Sequence, residues 1–231
     1  MFHYLAILLP ALISTPPTKY YFDSRIHNFG NIGFGGHVHS LLAPYATKMI
    51  DDKCYNSVNI RQLILSNYNQ DFYKNNGRLP KLIDLCCGTG TSTWDNQLGI
   101  DTSSQMITQA KKIRNKNTQF IEGNAEDYGK EDEFDTATIM FAFHEMPNYA
   151  HDKIIKNAKR ITTRDVIIVD IDPNYNPSIL MLSGEPYLLN YKRTIHALLA
   201  RHQFYYLEYI PNHVGIWIFT HNKNDFELTS S

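Results

Sequence analysis

Short apolar runs alternate with helical periods along most of this chain, and the runs set its architecture. "KLIDLC" (81–86) is a continuous stretch of β-type residues, the pattern of a strand covered on both faces in a parallel sheet. Further strands are predicted at "TQFIEG" (118–123), "FDTATIMFAF" (134–143) and "DVIIVDI" (165–171). Between them, "SSQMITQAKKI" (103–113) places Met106, Ile107, Ala110 and Ile113 on one helical face with Ser103 or Thr102 as N-cap, and "DKIIKNAKRI" (152–161) reads as a second helix. That succession predicts βαβ units. One long helix is expected over about 178–202, then "FYYLEYI" (204–210) and "VGIWIFT" (214–220), which a short Pro-Asn-His turn forces to pair antiparallel.

The first third reads differently. "SLLAPYATKMI" (40–50) and "VNIRQLILSNYNQDFY" (58–73) are helical in period, with Pro44 limiting the first. "HNFGNIGFGGHVHS" (27–40), rich in Gly, His and aromatics, has no helical period and is expected as an ordered loop or cap. Tyr4 to Ile13, "YLAILLPALI", is apolar but shorter than the roughly 17–25 residues that span a bilayer. It lacks a preceding Lys or Arg and a small-x-small cleavage site, so targeting segment, surface anchor and docked helix stay open for it. The expected divisions are residues 1–17 as an apolar N-terminal segment, 18–76 as a cap and 77–231 as the main domain.

Composition narrows the partners. With 22 Lys and Arg against 23 Asp and Glu, the chain has no strong field to draw nucleic acid or anionic lipid. No aromatic RNA-binding signature is present, and a small-molecule partner is expected instead. The three cysteines, two of them adjacent at 86 and 87, form neither a disulfide framework nor a zinc pattern. No metal is expected, and the compartment is expected to be reducing, with the cytoplasm favoured and a membrane or organelle left open through residues 1–17.

The candidate chemistry lies in "LIDLCCGTGTSTWDNQLGID" (82–101), a strand that runs into a glycine turn. A phosphate-binding P-loop needs GxxxxGK[ST], and no such Lys exists here. A dinucleotide fingerprint needs GxGxxG and an acid about 20 positions on; here Thr93 stands at the third glycine and Asp101 comes only 11 residues after Gly90. The remaining user of such a turn is a nucleoside with a sulfonium and an amino-acid tail. Four motifs in order, "DLCCGTG" (84–90), "GIDTSSQMI" (99–107), "GNAEDY" (123–128) and "FDTATIMFAFHEMP" (134–147), resemble the class I S-adenosylmethionine-dependent methyltransferases over about 84–172.

The resemblance implies an α/β fold with a Rossmann-like seven-stranded sheet, mostly parallel with a C-terminal antiparallel pair, beneath an N-terminal helical and loop cap. It implies S-adenosyl-L-methionine as cofactor, with Asp84, Cys86, Gly88 and Gly90 against its methionine part and Asp101 on both ribose hydroxyls. Thr102 and Met106 follow Asp101, Asn124, Ala125 and Glu126 meet the adenine, and Phe141 and Ala142 border the reacting methyl. Cys86 stands where glycine is usual, Asn124 where Asp is more frequent, and the short 91–100 stretch implies a clipped first helix or a short second strand.

His144 follows a buried run, at the carboxyl end of a strand where open α/β sheets place ligands. Methyl transfer is an in-line displacement in which the protein aligns the nucleophile and removes its proton, so His144 is expected as base or positioning group with Glu145 orienting it. The competing reading is a structural histidine satisfied by backbone. Tyr21, His27 and His37 from the cap and Tyr175 and Tyr187 from the rim are acceptor-contact candidates, beside Tyr20, His39, Asp172 and Glu185. The expected activity is methyl transfer to a small, hydrophobic or phenolic acceptor. A catalytically silent cofactor-binding protein, or an RNA or protein methyltransferase that borrows a partner, is the alternative.

Overall fold

The computed structural model describes residues 19–222, so the apolar segment at 1–17 lies outside the described residues. Seven strands form one sheet: β1 (Leu82–Leu85), β2 (Leu98–Asp101), β3 (Gln119–Glu122), β4 (Phe134–Met140), β5 (Thr162–Ile171), β6 (Tyr205–Ile210) and β7 (Val214–Thr220). Their order is β3-β2-β1-β4-β5-β7-β6, parallel throughout except where β7 runs antiparallel to β5 and β6. The chain reverses its direction of travel across the sheet beside β1 and β4, and their carboxyl ends open the crevice where such sheets bind ligands.

Alternation along the central strands assigns the two faces. Ala137 and Ile139 of β4 and Val166 and Ile168 of β5 point into one core, under helices α4 (Asn148–Ile161) and α6 (Leu188–Arg201). Met140, Ile167 and Val169 point into the other, against Ile60, Ile64 and Leu65 of helix α2 (Ile60–Asn76). The Tyr68 hydroxyl of α2 lies 2.6 Å from both Thr136 Oγ1 and Asp165 Oδ2, so α2 is a layer of the sheet domain as well as part of the N-terminal third. Helix α3 (Ser104–Ile113) starts at the expected cap, where Ser103 Oγ accepts from the Met106 N–H.

Three expectations are corrected. Residues 33–40 are not loop: helix α1 runs Gly33–Cys54 through Pro44, and only 29–32 is irregular, after a 3-10 turn at Ile26–Asn28. The glycines there answer a packing demand, since a Cβ on Gly35 would lie 1.6 Å from the Phe29 carbonyl oxygen. The helix expected over 178–202 is two, α5 (Ile179–Gly184) and α6, broken where Glu185 precedes Pro186. The third concerns the stretch between β1 and β2, expected to show a clipped first helix or a short second strand: it has no helix at all, and β2 is four residues long. Side chains hold that loop in place: Gln62 donates to the Thr91 and Thr93 carbonyls at 3.1 and 3.4 Å, Arg114 to the Thr93 carbonyl at 2.7 Å, and the Leu82 N–H donates to Gln97 Oε1 at 2.9 Å.

Candidate active site

The carboxyl ends of β1, β2 and β4 border a cavity of about 730 Å³, roofed by the segment around residues 20–55 and by α5. Its floor is the glycine turn. Cys86 enters the turn at φ +62 and Gly88 follows at φ +53, and the Gly88 N–H donates to Asp101 Oδ2 at 2.9 Å. Asp101 Oδ1 accepts from the Ser103 N–H at 2.8 Å, so one carboxylate ties the turn after β1 to the start of α3. Burial lifts the Asp101 pKa to about 6 against the pull of those two N–H groups. The turn and Asp101 therefore face the same cavity, as one bound adenosyl sulfonium requires.

The expected cofactor residues divide. Cys86, Gly88, Asp101, Thr102, Met106, Asn124, Ala125, Phe141 and Ala142 all line the cavity. Asp84 does not: its carboxylate is buried, accepting from Ser92 Oγ at 2.8 Å and Thr93 Oγ1 at 2.7 Å, and it shapes the turn from beneath. Gly90 turns away at φ +78 against Phe120, and Glu126 pairs outward with Lys153 at 3.1 Å. The Asn124 side-chain oxygen takes the Glu126 N–H at 3.0 Å, which orders its own loop.

His144 lies on a short 3-10 turn, Phe143–Glu145, directly after β4. Its Nδ1 is 2.6 Å from Asp170 Oδ1, and the other oxygen of that carboxylate accepts the Phe143 and His144 N–H groups at 2.8 and 3.3 Å. Asp170, at the end of β5, is the carboxylate that orients the imidazole. Glu145 was the expected partner, but its Oε1 stands 3.9 Å from His144 Nε2. Burial alone would lower the His144 pKa, and the Asp170 carboxylate outweighs it, lifting the pKa to about 9.

Glu145 instead meets the cap. His27 Nε2 lies 3.2 Å from Glu145 Oε1 and its Nδ1 lies 2.9 Å from Glu185 Oε1, so the ring sits between two carboxylates. They outweigh the cost of burial and lift the His27 pKa to about 10, while His27 holds Glu145 down at about 2. His39, its ring tilted against His27 with centroids 3.9 Å apart, is pushed to about 4 by burial and by that neighbouring charge. His27, Tyr21, Tyr175, Tyr20, His39 and Glu185 line the cavity. His37 is exposed on α1, outside the cavity, and Tyr187 donates to Asp23 Oδ2 at 2.8 Å, fixing the cap from the side. Asp172 is buried and takes the Tyr206 hydroxyl.

Two residues of the site carried a signal that periodicity alone does not separate from packing. Asp170 follows the apolar run Val166–Val169 one residue before the end of β5, a buried place where a carboxylate is costly unless it is partnered. Arg61 stands on the stripe 61, 65, 68, 72 of α2, the face turned to the core, and it too lines the cavity.

Residues 82–165 match the family described as "Methyltransferase domain". A stretch of 82 residues is 35% identical to the demethylmenaquinone methyltransferase of Lactococcus lactis, covering 29% of this chain and 32% of that relative, well under two thirds of its length. Among solved structures, a SAM-dependent methyltransferase from Aquifex aeolicus superposes with a TM-score of 0.54 at 14% identity, over 77% of this chain and 97% of the other. The magnesium protoporphyrin IX methyltransferase of Synechocystis PCC 6803 with bound SAH gives 0.51 at 14% identity, over 72% and 84%. At those identities the structures speak for the fold, and the matched segment speaks for the family. Strand order, glycine turn, Asp101 and the matched segment make this chain similar to the class I S-adenosylmethionine-dependent methyltransferases in fold, with a methyltransferase-domain match over residues 82–165.

Proposed function

We propose that the chain methylates a small, largely apolar acceptor bearing a phenolic or quinol-type hydroxyl, with His144 as the group that positions that hydroxyl and receives its proton. The observation that carries this reading is the single cavity that joins the Gly88–Asp101 clasp to the His144–Asp170 pair. S-Adenosylmethionine, when bound, supplies an electrophilic methyl group on a sulfonium that departs as a neutral thioether. The donor set fits such a group: a carboxylate at 101 with lone pairs left for hydroxyls, and an open turn at Gly88 with nothing within 4 Å of an added Cβ.

The acceptor's character is read from the roof. Leu42, Ala46, Met49, Ile50, Leu180 and Met181 give the cavity an apolar outer wall. The relative from Lactococcus lactis is named for a quinone-type substrate, which agrees with a hydrophobic ring carrying an ionisable hydroxyl. On the inner side Asp170 fixes Nδ1 of His144, so Nε2 is the edge left to meet an acceptor. A base of pKa about 9 is mostly protonated at neutral pH, so turnover is expected to climb as pH rises toward 9.

The test is a screen of prenylated hydroquinones, simple phenols and carboxylic acids with S-adenosylmethionine, read out as S-adenosylhomocysteine. Turnover confined to the hydroxylated rings and lost in His144→Ala, with cofactor affinity kept, supports the proposal. His144→Ala that turns over at the wild-type rate overturns the role of His144.

A further inference from the structure

Helix α1 carries an apolar face that nothing among the described residues covers. Its fully buried residues are Gly35, Gly36, Ser40 and Asp51, none of them a large apolar side chain, so the helix is not held by burying its own apolar positions. Those positions point outward instead. Phe34, Leu41, Tyr45 and Met49 recur at helical spacing on one face and all are exposed, Phe34 by 84% and Tyr45 by 77%. Helix α5 adds Ile179 at 88% and Leu180 at 79%. Leu42, Met49, Ile50 and Leu180 are exposed and also line the cavity, so this apolar surface is the rim of its mouth. Scattered exposed leucines need no explanation, but an apolar surface gathered around one opening marks a place of contact.

Charge and chain connectivity say what the rim meets. Residues 34–47 and 174–184 contain no Lys, Arg, Asp or Glu, so a partner held by ion pairs finds nothing to pair with there. The apolar run at residues 4–13 joins the described chain at Lys19, next to Tyr20 and Tyr21 of the same cavity, and the link over 14–18 reaches at most about 20 Å. That run is too short to cross a bilayer, and no helix among the described residues is long and apolar enough to do so, which points to contact with one leaflet. A second copy or another protein seated on the rim would close the mouth, whereas a bilayer covers the apolar side chains and gives an apolar acceptor a dry way in. We propose that the rim formed by α1 and α5 docks on the surface of a lipid bilayer, its apolar side chains entering the boundary between headgroups and acyl chains, with the cavity open to the lipid. The choice of lipid over protein rests on the reading of the acceptor as apolar; the docking itself needs neither donor nor acceptor.

The experiment is flotation of the full chain with phosphatidylcholine vesicles, with no donor or acceptor present. Wild type is compared with the double variant Tyr45→Asp and Ile179→Asp, which charges two exposed side chains outside the cavity lining, and with Leu8→Asp and Leu9→Asp, which charges the apolar run. Thermal unfolding confirms that each protein is folded. Wild type is expected to float and to keep doing so in high salt, and the Tyr45→Asp and Ile179→Asp variant to bind at least about tenfold more weakly although the apolar run is intact. Wild type that stays at the bottom of the gradient overturns the proposal, and its sedimentation as a dimer would then give the rim to a second copy. Loss of binding in the Leu8→Asp and Leu9→Asp variant alone, with the Tyr45→Asp and Ile179→Asp variant floating as wild type does, also overturns it and makes the run at 4–13 the anchor. Because no substrate enters the assay, failed flotation leaves the methyl-transfer reading untouched, and a failed acceptor screen leaves the flotation result standing.

Discussion

Replacing His144 by Gln removes a buried cation whose proton is worth a definite amount of stability. In the unfolded chain an imidazole titrates near 6.5, and beside Asp170 this one titrates near 9. At about 1.4 kcal/mol per pH unit, the native state therefore holds that proton more tightly by about 3 kcal/mol. Because the folded pKa is the higher one, the stabilisation is complete below pH 6.5 and disappears as pH rises through 9. Asp170 keeps the N–H groups of Phe143 and Ile171, at 2.8 and 2.7 Å, so the variant retains the local fold. Urea unfolding of both proteins at pH 6 and pH 10 gives the test: wild type should exceed His144→Gln by about 3 kcal/mol more at pH 6 than at pH 10. His27 also titrates high, but it is present in both proteins and its contribution drops out of the difference. Stability curves that stay parallel across that range would refute the claim that Asp170 holds a charged His144.

Three further changes probe the site and its roof. Asp101→Ala takes away the acceptor of the Gly88 and Ser103 N–H groups and, on the proposed reading, of the ribose hydroxyls, so calorimetry should show S-adenosylmethionine binding weaker by about 2–4 kcal/mol; unchanged affinity would place the ribose elsewhere. Cys86→Gly relieves a side chain held at φ +62 and should raise stability by about 1 kcal/mol in thermal unfolding, with cofactor affinity intact. Gly35→Ala drives a methyl group into the Phe29 carbonyl and should cost more than about 3 kcal/mol, seen as a lowered Tm and faster proteolysis between residues 26 and 36; a Tm within a degree of wild type would show that the close packing there is not needed.

The strands were legible because buried β residues leave little ambiguity: β1 lies inside "KLIDLC", β4 inside "FDTATIMFAF", β5 contains "DVIIVDI" and starts three residues earlier, and Ser103 caps α3 as its side chain predicts. What stayed hidden was decided by contacts far apart in sequence. The three glycines that begin α1 answer contacts and backbone geometry that no local period records: the Phe29 and Asn31 backbone crowds Gly35 and Gly36, and Gly33 sits at φ +69. The break at Glu185–Pro186 turns that carboxylate to His27, 158 residues earlier, which no local period records. The glycine turn and Asp101 could be read together because a family pattern joins them; Asp170 and Arg61 look like ordinary charged residues until the sheet brings β5 beside β4 and α2 beneath the turn.

The helix that is missing after β1 has a meaning for selectivity. A helix beginning at a glycine turn aims a half-positive pole at whatever lies there, and that pole favours a diphosphate. Here residues 86–97 offer no such pole, while the carboxylates of Asp84 and Asp101 lie beneath and beside the turn. A turn without a helix pole and with two carboxylates beside it is a poor seat for a diphosphate and suits the proposed ligand, an adenosine whose reactive centre is itself a cation.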